Sequence, residues 1–261
     1  MAEIIAIANP KGGCGKTTTA INLASFIAAS ERKVLLIDLD PQSGATSGLG
    51  IKIYLSQLCI TEVLFDSRVQ VKKAIYSTKV KGLFLIPAKF SLSMAEKRLR
   101  QLIGGGLVLK EKINPVISEY DYILLDTPPS LGVLTLNALA IAHKVIVPVQ
   151  TQFFALRGLK QLLNTADIVK MKINPGLCRI RVLATMYDRR TRISQSVLRK
   201  LREDFKEKVF NTVIPISTRL AEAPEYGLPV LLYDHRCNGA TAYRKLAMEV
   251  IRGGERGSFE S

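Results

Sequence analysis

The stretch "IANPKGGCGKTTTA", Ile7 to Ala20, decides how the rest of the chain reads. It passes from an apolar, β-branched segment through closely spaced glycines into residues of helical period, the order of a strand, a tight turn and a helix. In that setting Gly12, Gly13 and Gly15 let backbone N–H groups point inward at phosphate oxygens, and the helix start adds the positive end of its dipole. Lys16 then neutralises β- and γ-phosphate charge, and Thr17 offers a hydroxyl to Mg²⁺. Cys14 and Thr18 fall within the same nucleotide-binding stretch. Two features are unusual. The pattern G-x-x-x-x-G-K-[ST] closes correctly at Gly15-Lys16-Thr17 but has Pro10 where its first glycine belongs, and a second lysine, Lys11, stands ahead of the phosphates.

Outward from this loop, "EIIAIAN" reads as a strand, Lys16 to Ala29 as a helix and "KVLLID" as a second strand. The rhythm continues with strands at "GLFLIPA", "DYILLD", "KVIVPVQ", "IRVLATMY" and "NTVIPI". Helices are predicted near Leu92 to Ile103, Leu131 to Ala140, Ala155 to Lys172, Ser194 to Lys208 and Ala240 to Ile251, with "IGGGLV" around Gly104 as a turn between helices. Continuously apolar strands between helices imply an α/β fold: one domain over residues 1–252 with a mostly parallel, twisted sheet covered by helices on both faces. The tail, 253–261, is predicted to be flexible.

Composition agrees with a globular core, 48% hydrophobic and 23% charged, over 261 residues. Charge is the unusual quantity: 37 Lys+Arg against 22 Asp+Glu leave +15. The segment Arg157 to Lys208 alone holds fourteen basic and five acidic residues, which favours a polyanionic partner for the C-terminal half. Cys14, Cys59, Cys178 and Cys237 stand far apart, without a C-x-x-C pair, and read as reduced thiols of a cytoplasmic protein. The N-terminal apolar run is too short for a signal sequence or a membrane span.

A phosphate-bound magnesium needs a carboxylate at the end of a buried strand, and "DYILLDTPPS" puts Asp126 after the run Tyr122 to Leu125. The strand "VLLIDLDPQ" ends in Asp38 and Asp40, whose i, i+2 spacing places both on one face. Asp40, nearer the loop, is the candidate to orient or activate the water that attacks the γ-phosphate. Asp38 has two open readings: it holds magnesium waters, or it is a hydrogen-bonded buried carboxylate that holds the loop.

Taken together, these motifs resemble the deviant Walker A P-loop ATPases, and within them the ParA/Soj chromosome and plasmid partition proteins. The resemblance spans nearly the whole chain: K-G-G-x-G-K-T at Lys11 to Thr17, "DLDPQ" at Asp38 to Gln42, "ATSGLG" at Ala45 to Gly50 and "LDTPPS" at Leu125 to Ser130. It continues through "FFALRGL" at Phe153 to Leu159, "MYDRRTRIS" at Met186 to Ser194 and "RLAEAPEYGLPVLLYD" at Arg219 to Asp234. It implies that Lys11 is the signature lysine, reaching across an ATP-bound homodimer to the partner's phosphates.

The resemblance further implies ATP and Mg²⁺ as cofactors, sequence-nonspecific double-stranded DNA as ligand, a ParB-like centromere-binding protein as stimulator, and a nucleoid-associated location. Arg189 matches a position linked to DNA binding. Arg190 and Arg192, with Arg199, Lys200 and Arg202 beyond them, extend that strip, and Arg219 is a further candidate. One departure bears on this role: Ile216 and Ser217 stand where relatives often carry Arg-Asn. The rival is a MinD-like membrane-positioning ATPase, which needs a lipid-binding C-terminal helix. Here Tyr243, Leu246, Ala247, Val250 and Ile251 have core-facing spacing, and Gly253-Gly254 is predicted to stop the helix. A cluster-bridged electron-transfer dimer of the nitrogenase iron protein type lacks its cysteine context.

Overall fold

The computed structural model describes residues 2–54, 57–152 and 155–257. Among these, a seven-stranded sheet is built from β1 (Glu3–Ile7), β2 (Val34–Asp38), β3 (Tyr76–Ser77), β4 (Leu83–Ile86), β5 (Tyr122–Asp126), β6 (Lys144–Gln150) and β7 (Arg179–Thr185). Its order is β3-β4-β2-β5-β1-β6-β7, parallel throughout except for the short antiparallel edge strand β3. The helices are α1 (Lys16–Ala28), α2 (Gly44–Gly48), α3 (Ile60–Phe65), α4 (Leu92–Gln101), α5 (Val108–Ile113), α6 (Val133–Leu139), α7 (Ala155–Lys172), α8 (Arg192–Phe205), α9 (Thr218–Glu222), α10 (Val230–Tyr233) and α11 (Asn238–Gly257).

Alternation along the strands sorts the core into two layers. On one face Ile5, Ile7, Leu36 and Leu124 pack against α1 and α11, through Leu23, Ile27, Leu246 and Ala247. On the other, Ile4, Ala6, Leu35 and Ile123 meet the face formed by α3 to α8, with Ile60, Leu92, Leu99, Leu109, Leu134 and Leu162. Because both faces are covered, β2 and β5 are buried at every position, which is why their sequences read as unbroken apolar runs.

Four expectations change in detail. "NTVIPI" forms no strand: Val209, just before it, bridges Val182 of β7, and within it Pro215 makes one isolated bridge to Tyr187, too little for a continuous ladder. The second strand closes at Asp38, and Asp40 sits in the following turn, where Pro41 ends the pairing. Helix α8 starts two residues early, capped by the Thr191 side chain that accepts from the Ser194 amide. Helix α11 runs through Gly253 and Gly254 to Gly257 rather than stopping there, because a glycine pair lowers helix propensity without removing the hydrogen bonds that propagate it.

Candidate functional site

The C-terminal ends of the central strands β1, β2 and β5 converge beneath the loop that joins β1 to α1, at the switch point of the sheet. Gly15 is the N-cap of α1 with φ 88°, a left-handed conformation open to glycine, and no side chain caps the helix. Its first-turn N–H groups therefore stay available for an anion. Lys16 is buried, and its Nζ donates to the Lys11 carbonyl at 3.0 Å, folded back over its own loop. The loop is braced from several directions. Asn9 Nδ2 donates to the Pro148 carbonyl at 2.7 Å, the Asn9 side chain accepts from the Lys11 amide, and Thr185 Oγ1 at the end of β7 donates to the Cys14 carbonyl at 2.8 Å. Burial raises the Cys14 thiol pKa and keeps it an unreactive part of the loop.

Three carboxylates lie below. Asp38 accepts from the Asp40 amide (3.1 Å), the Thr46 amide (2.9 Å) and the Thr46 hydroxyl (2.7 Å), so it pins the turn from β2 into α2. This is the loop-holding reading of Asp38. Asp40 is nearly buried, and its Oδ1 accepts from the Gln42 amide at 2.9 Å. Asp126 differs from both: it is fully buried, and neither carboxylate oxygen has a hydrogen-bond partner among the described residues. Burial, followed by the Asp38 charge beside it, raises its pKa well above the usual carboxylate range, while Thr17 and Lys16 pull the other way. A buried carboxylate without partners, next to a threonine hydroxyl and a phosphate loop, fits a site built for a divalent cation.

Beside the loop, a cavity of about 470 Å³ opens from Gly15 and Thr18 past Thr185, Met186, Pro215 and Tyr243. Its size and its mostly apolar lining suit a nucleoside attached to the phosphates. Tyr243, on α11, is fixed by a 3.0 Å hydrogen bond with Thr19 on α1. The sequence reading had no residue for the base. The available signals were the residues directly after a strand C-terminus, "MYD", and the apolar "VIPI" that runs beside it.

The family model described as "AAA domain" matches residues 2–178. The chain is 45% identical to the sporulation initiation inhibitor protein Soj of Bacillus subtilis over 254 residues, 97% of this chain and 100% of that protein. It is 46% identical to the chromosome partitioning protein ParA of Caulobacter vibrioides, covering 95% of this chain and 94% of the relative. The chain belongs to the ParA/Soj family of P-loop ATPases. Among solved structures, the cobyrinic acid a,c-diamide synthase of Mycobacterium smegmatis, with an ATP analogue and magnesium bound, superposes with a TM-score of 0.85 at 34% identity, covering 98% of this chain and 97% of that one. As a ParA/Soj ATPase the chain hydrolyses ATP and uses Mg²⁺.

The basic residues of this ParA/Soj chain are not equivalent. Arg190 forks onto Asp188 with two hydrogen bonds, at 3.0 and 2.9 Å, and Arg219 is engaged by Glu222 at 2.9 Å and Asp234 at 3.5 Å. Arg189 and Arg192 are exposed and form no ion pair among the described residues, as are Arg199, Lys200 and Arg202 along α8. The opposite face of α8 is buried through Val197, Leu198 and Leu201, so its basic face looks outward. Of "FFALRGL", Phe153 and Phe154 lie outside the described residues.

Proposed function

We propose that this chain is the ATP-driven switch of a DNA partition system. Two copies close on ATP, the closed dimer holds double-stranded DNA without regard to sequence, and hydrolysis stimulated by a ParB-like partner at the nucleoid releases it. Near full-length similarity to Soj and ParA supports the partition role. Lys11 is the observation that carries the dimer: Lys16 already occupies the cis position within the loop, whereas the Lys11 ammonium has no ion-pair partner among the described residues. A second cation supplied by the facing subunit would stabilise charge developing on the transferred phosphoryl group.

In this reading Gly12, Gly13, Cys14, Gly15, Lys16, Thr17 and Thr18 hold the phosphates. Thr17 and Asp126, the latter through water, would hold Mg²⁺, which would supply positive charge against the phosphates. Asp40 orients the attacking water, while Asp38 keeps the turn that carries Asp40 in place. Arg189 and Arg192 head the DNA-tracking strip. Arg190 and Arg219 contribute less, because each must first leave a carboxylate. A membrane-positioning role is disfavoured by α11, whose apolar residues Tyr243, Leu246 and Ala247 are buried against the body of the protein. No helix among the described residues is long and apolar enough to cross a membrane.

The test is DNA binding measured with ATP, with ADP and without nucleotide across a salt series. Since log K falls with log salt at roughly 0.9 per phosphate neutralised, the ATP-bound dimer should show about twice the slope of the ADP-bound monomer. Arg189→Glu should flatten that slope on any duplex while ATP-driven dimerisation survives. Equal affinity and equal slope in ATP and ADP would reject the switch.

A further inference from the structure

A groove far from the nucleoside cavity, about 560 Å³ in volume, lies between the end of α4, the Gly104–Gly106 turn, α6 and α7. Its lining includes Leu99, Leu131, Leu136 and Leu139, and its rim leaves Leu102 51% and Leu107 43% exposed. Between these two, Ile103 is completely exposed. Arg100 is the charged residue in this lining, and its Nη2 donates to Glu96 Oε1 at 2.6 Å. The surrounding sequence, Arg98 to Lys112, carries Arg98, Arg100, Lys110 and Lys112 against Glu111 alone.

The groove is wired to the segment that follows Asp126. Asn137 of α6 holds the glycine turn, donating to the Gly105 carbonyl at 2.7 Å and accepting from the Leu109 amide at 2.9 Å. Thr135 donates to the Ser130 carbonyl at 2.7 Å. The Glu96–Arg100 pair sits directly on Gly132, where an added Cβ would stand 2.5 Å from Glu96 Oε1 and 3.3 Å from Arg100 Nη2. The pair thus clamps the first residues after "DTPPS", whose far end is Asp126.

We propose that this groove docks a peptide segment of a partner protein that combines apolar side chains with a carboxylate. The apolar residues fill the leucine-lined floor, and the carboxylate takes Arg100 from Glu96. The choice of an acidic segment rests on charge complementarity: the groove offers an exposed cation, Arg100, whose one carboxylate partner, Glu96, is largely covered, and the flanks of the groove are basic. Exchange at Arg100 loosens the clamp on Gly132, so docking changes ATP turnover through the position of the Asp126 segment.

The probe is a random twelve-residue peptide library displayed on phage and panned on the full chain, with the enriched peptides then synthesised and measured by fluorescence anisotropy. Enriched peptides should pair leucine-like or aromatic residues with Asp or Glu. Ile103→Ser with Leu107→Ser, and separately Arg100→Gln, should weaken their binding about tenfold or more, as should changing the peptide carboxylates to amides. Met171→Ser, on the exposed face of α7, should not. Ile103→Ser with Leu107→Ser should keep wild-type circular dichroism and basal ATP turnover, whereas Arg100→Gln, which removes the Glu96 contact, should keep the circular dichroism but shift basal turnover in the direction that docking does. No enrichment, enrichment of basic peptides, or binding indifferent to the groove variants would reject the docking site. Binding that leaves ATP turnover unchanged would reject the coupling to Asp126.

Discussion

Asp38 and Asp126 are direct register partners on β2 and β5, both fully buried, yet Asp38 accepts three hydrogen bonds while Asp126, with the Thr17 side chain nearby, has no partner at normal hydrogen-bond geometry among the described residues. Two adjacent carboxylates in a dry environment repel one another and resist ionisation. The pair is therefore a store of unfavourable electrostatics, which a magnesium ion held at Asp126, as proposed above, would relieve.

The first expected outcome is an inverted pH dependence of stability in the nucleotide-free chain. Burial raises Asp38 from 3.8 to about 6, and burial together with the neighbouring Asp38 charge raises Asp126 well above the usual carboxylate range. A carboxyl whose folded pKa exceeds its unfolded one binds its proton more tightly when folded. Its contribution to stability is therefore greatest at low pH and is lost as pH rises through the folded pKa. Both carboxyls act in the same direction between about pH 4 and pH 7. Thermal unfolding across that range should show a falling melting temperature, and a flat or rising profile would remove the buried-charge account.

Asp126→Asn should have opposite effects on stability and function. Without nucleotide at neutral pH, the variant should melt at a higher temperature than the parent, because a buried carboxyl that must either ionise beside Asp38 or take up a proton against its ordinary pKa is gone. With ATP, the gain in affinity on adding Mg²⁺ should vanish, while magnesium-free ADP binding persists. Titration calorimetry with and without Mg²⁺ measures both, and a retained magnesium effect would move the metal role elsewhere.

Lys16→Ala and Lys11→Ala should separate. Loss of Lys16 removes the buried cation of the loop, and binding of ATP or ADP should fall below detection. Lys11→Ala should leave monomeric ATP binding close to wild type but abolish ATP-driven dimerisation and turnover. Light scattering together with phosphate release reads both properties, and a Lys11→Ala chain that dimerises and hydrolyses normally would exclude action in trans.

Thr185→Val tests the brace between β7 and the loop. The substitution keeps the shape of the side chain but leaves the Cys14 carbonyl without its donor. The cost should be about 1–3 kcal/mol of stability. ADP affinity should drop severalfold, because the amides of Gly15 and Lys16 follow that carbonyl directly. Unchanged ADP affinity in a destabilised variant would confine Thr185 to a structural role.

The parts of this molecule that sequence reveals are those whose chemistry and periodicity coincide. The phosphate loop was legible because glycines, Lys16 and Thr17 serve no packing purpose in that order, and β5 because a strand buried on both faces must be apolar until Asp126. The nucleoside cavity was not, since it is assembled from segments as distant as Gly15, Met186 and Tyr243, none with a local pattern. β3 escaped notice because two residues are too few for alternation to show. The separate fates of Arg189 and Arg190 also stayed hidden: spacing lists both as free cations, whereas only geometry shows Asp188 gripping one of them.

The placement of β1 at the centre of the sheet has a consequence for how the protein is born. β1 leaves the ribosome well before either of its neighbours, β5, which ends at Asp126, and β6, which ends at Gln150. Until β5 has been made, the nascent chain carries every residue of the phosphate loop with no floor beneath it, and the apolar strand β1 lacks both hydrogen-bonding flanks. Such a chain cannot recruit nucleotide to steady itself, and pairing over so long a sequence separation is slow. Chaperones that shield apolar segments on the ribosome should therefore engage the first 120 or so residues, and release should follow the synthesis of β6 rather than the completion of the loop.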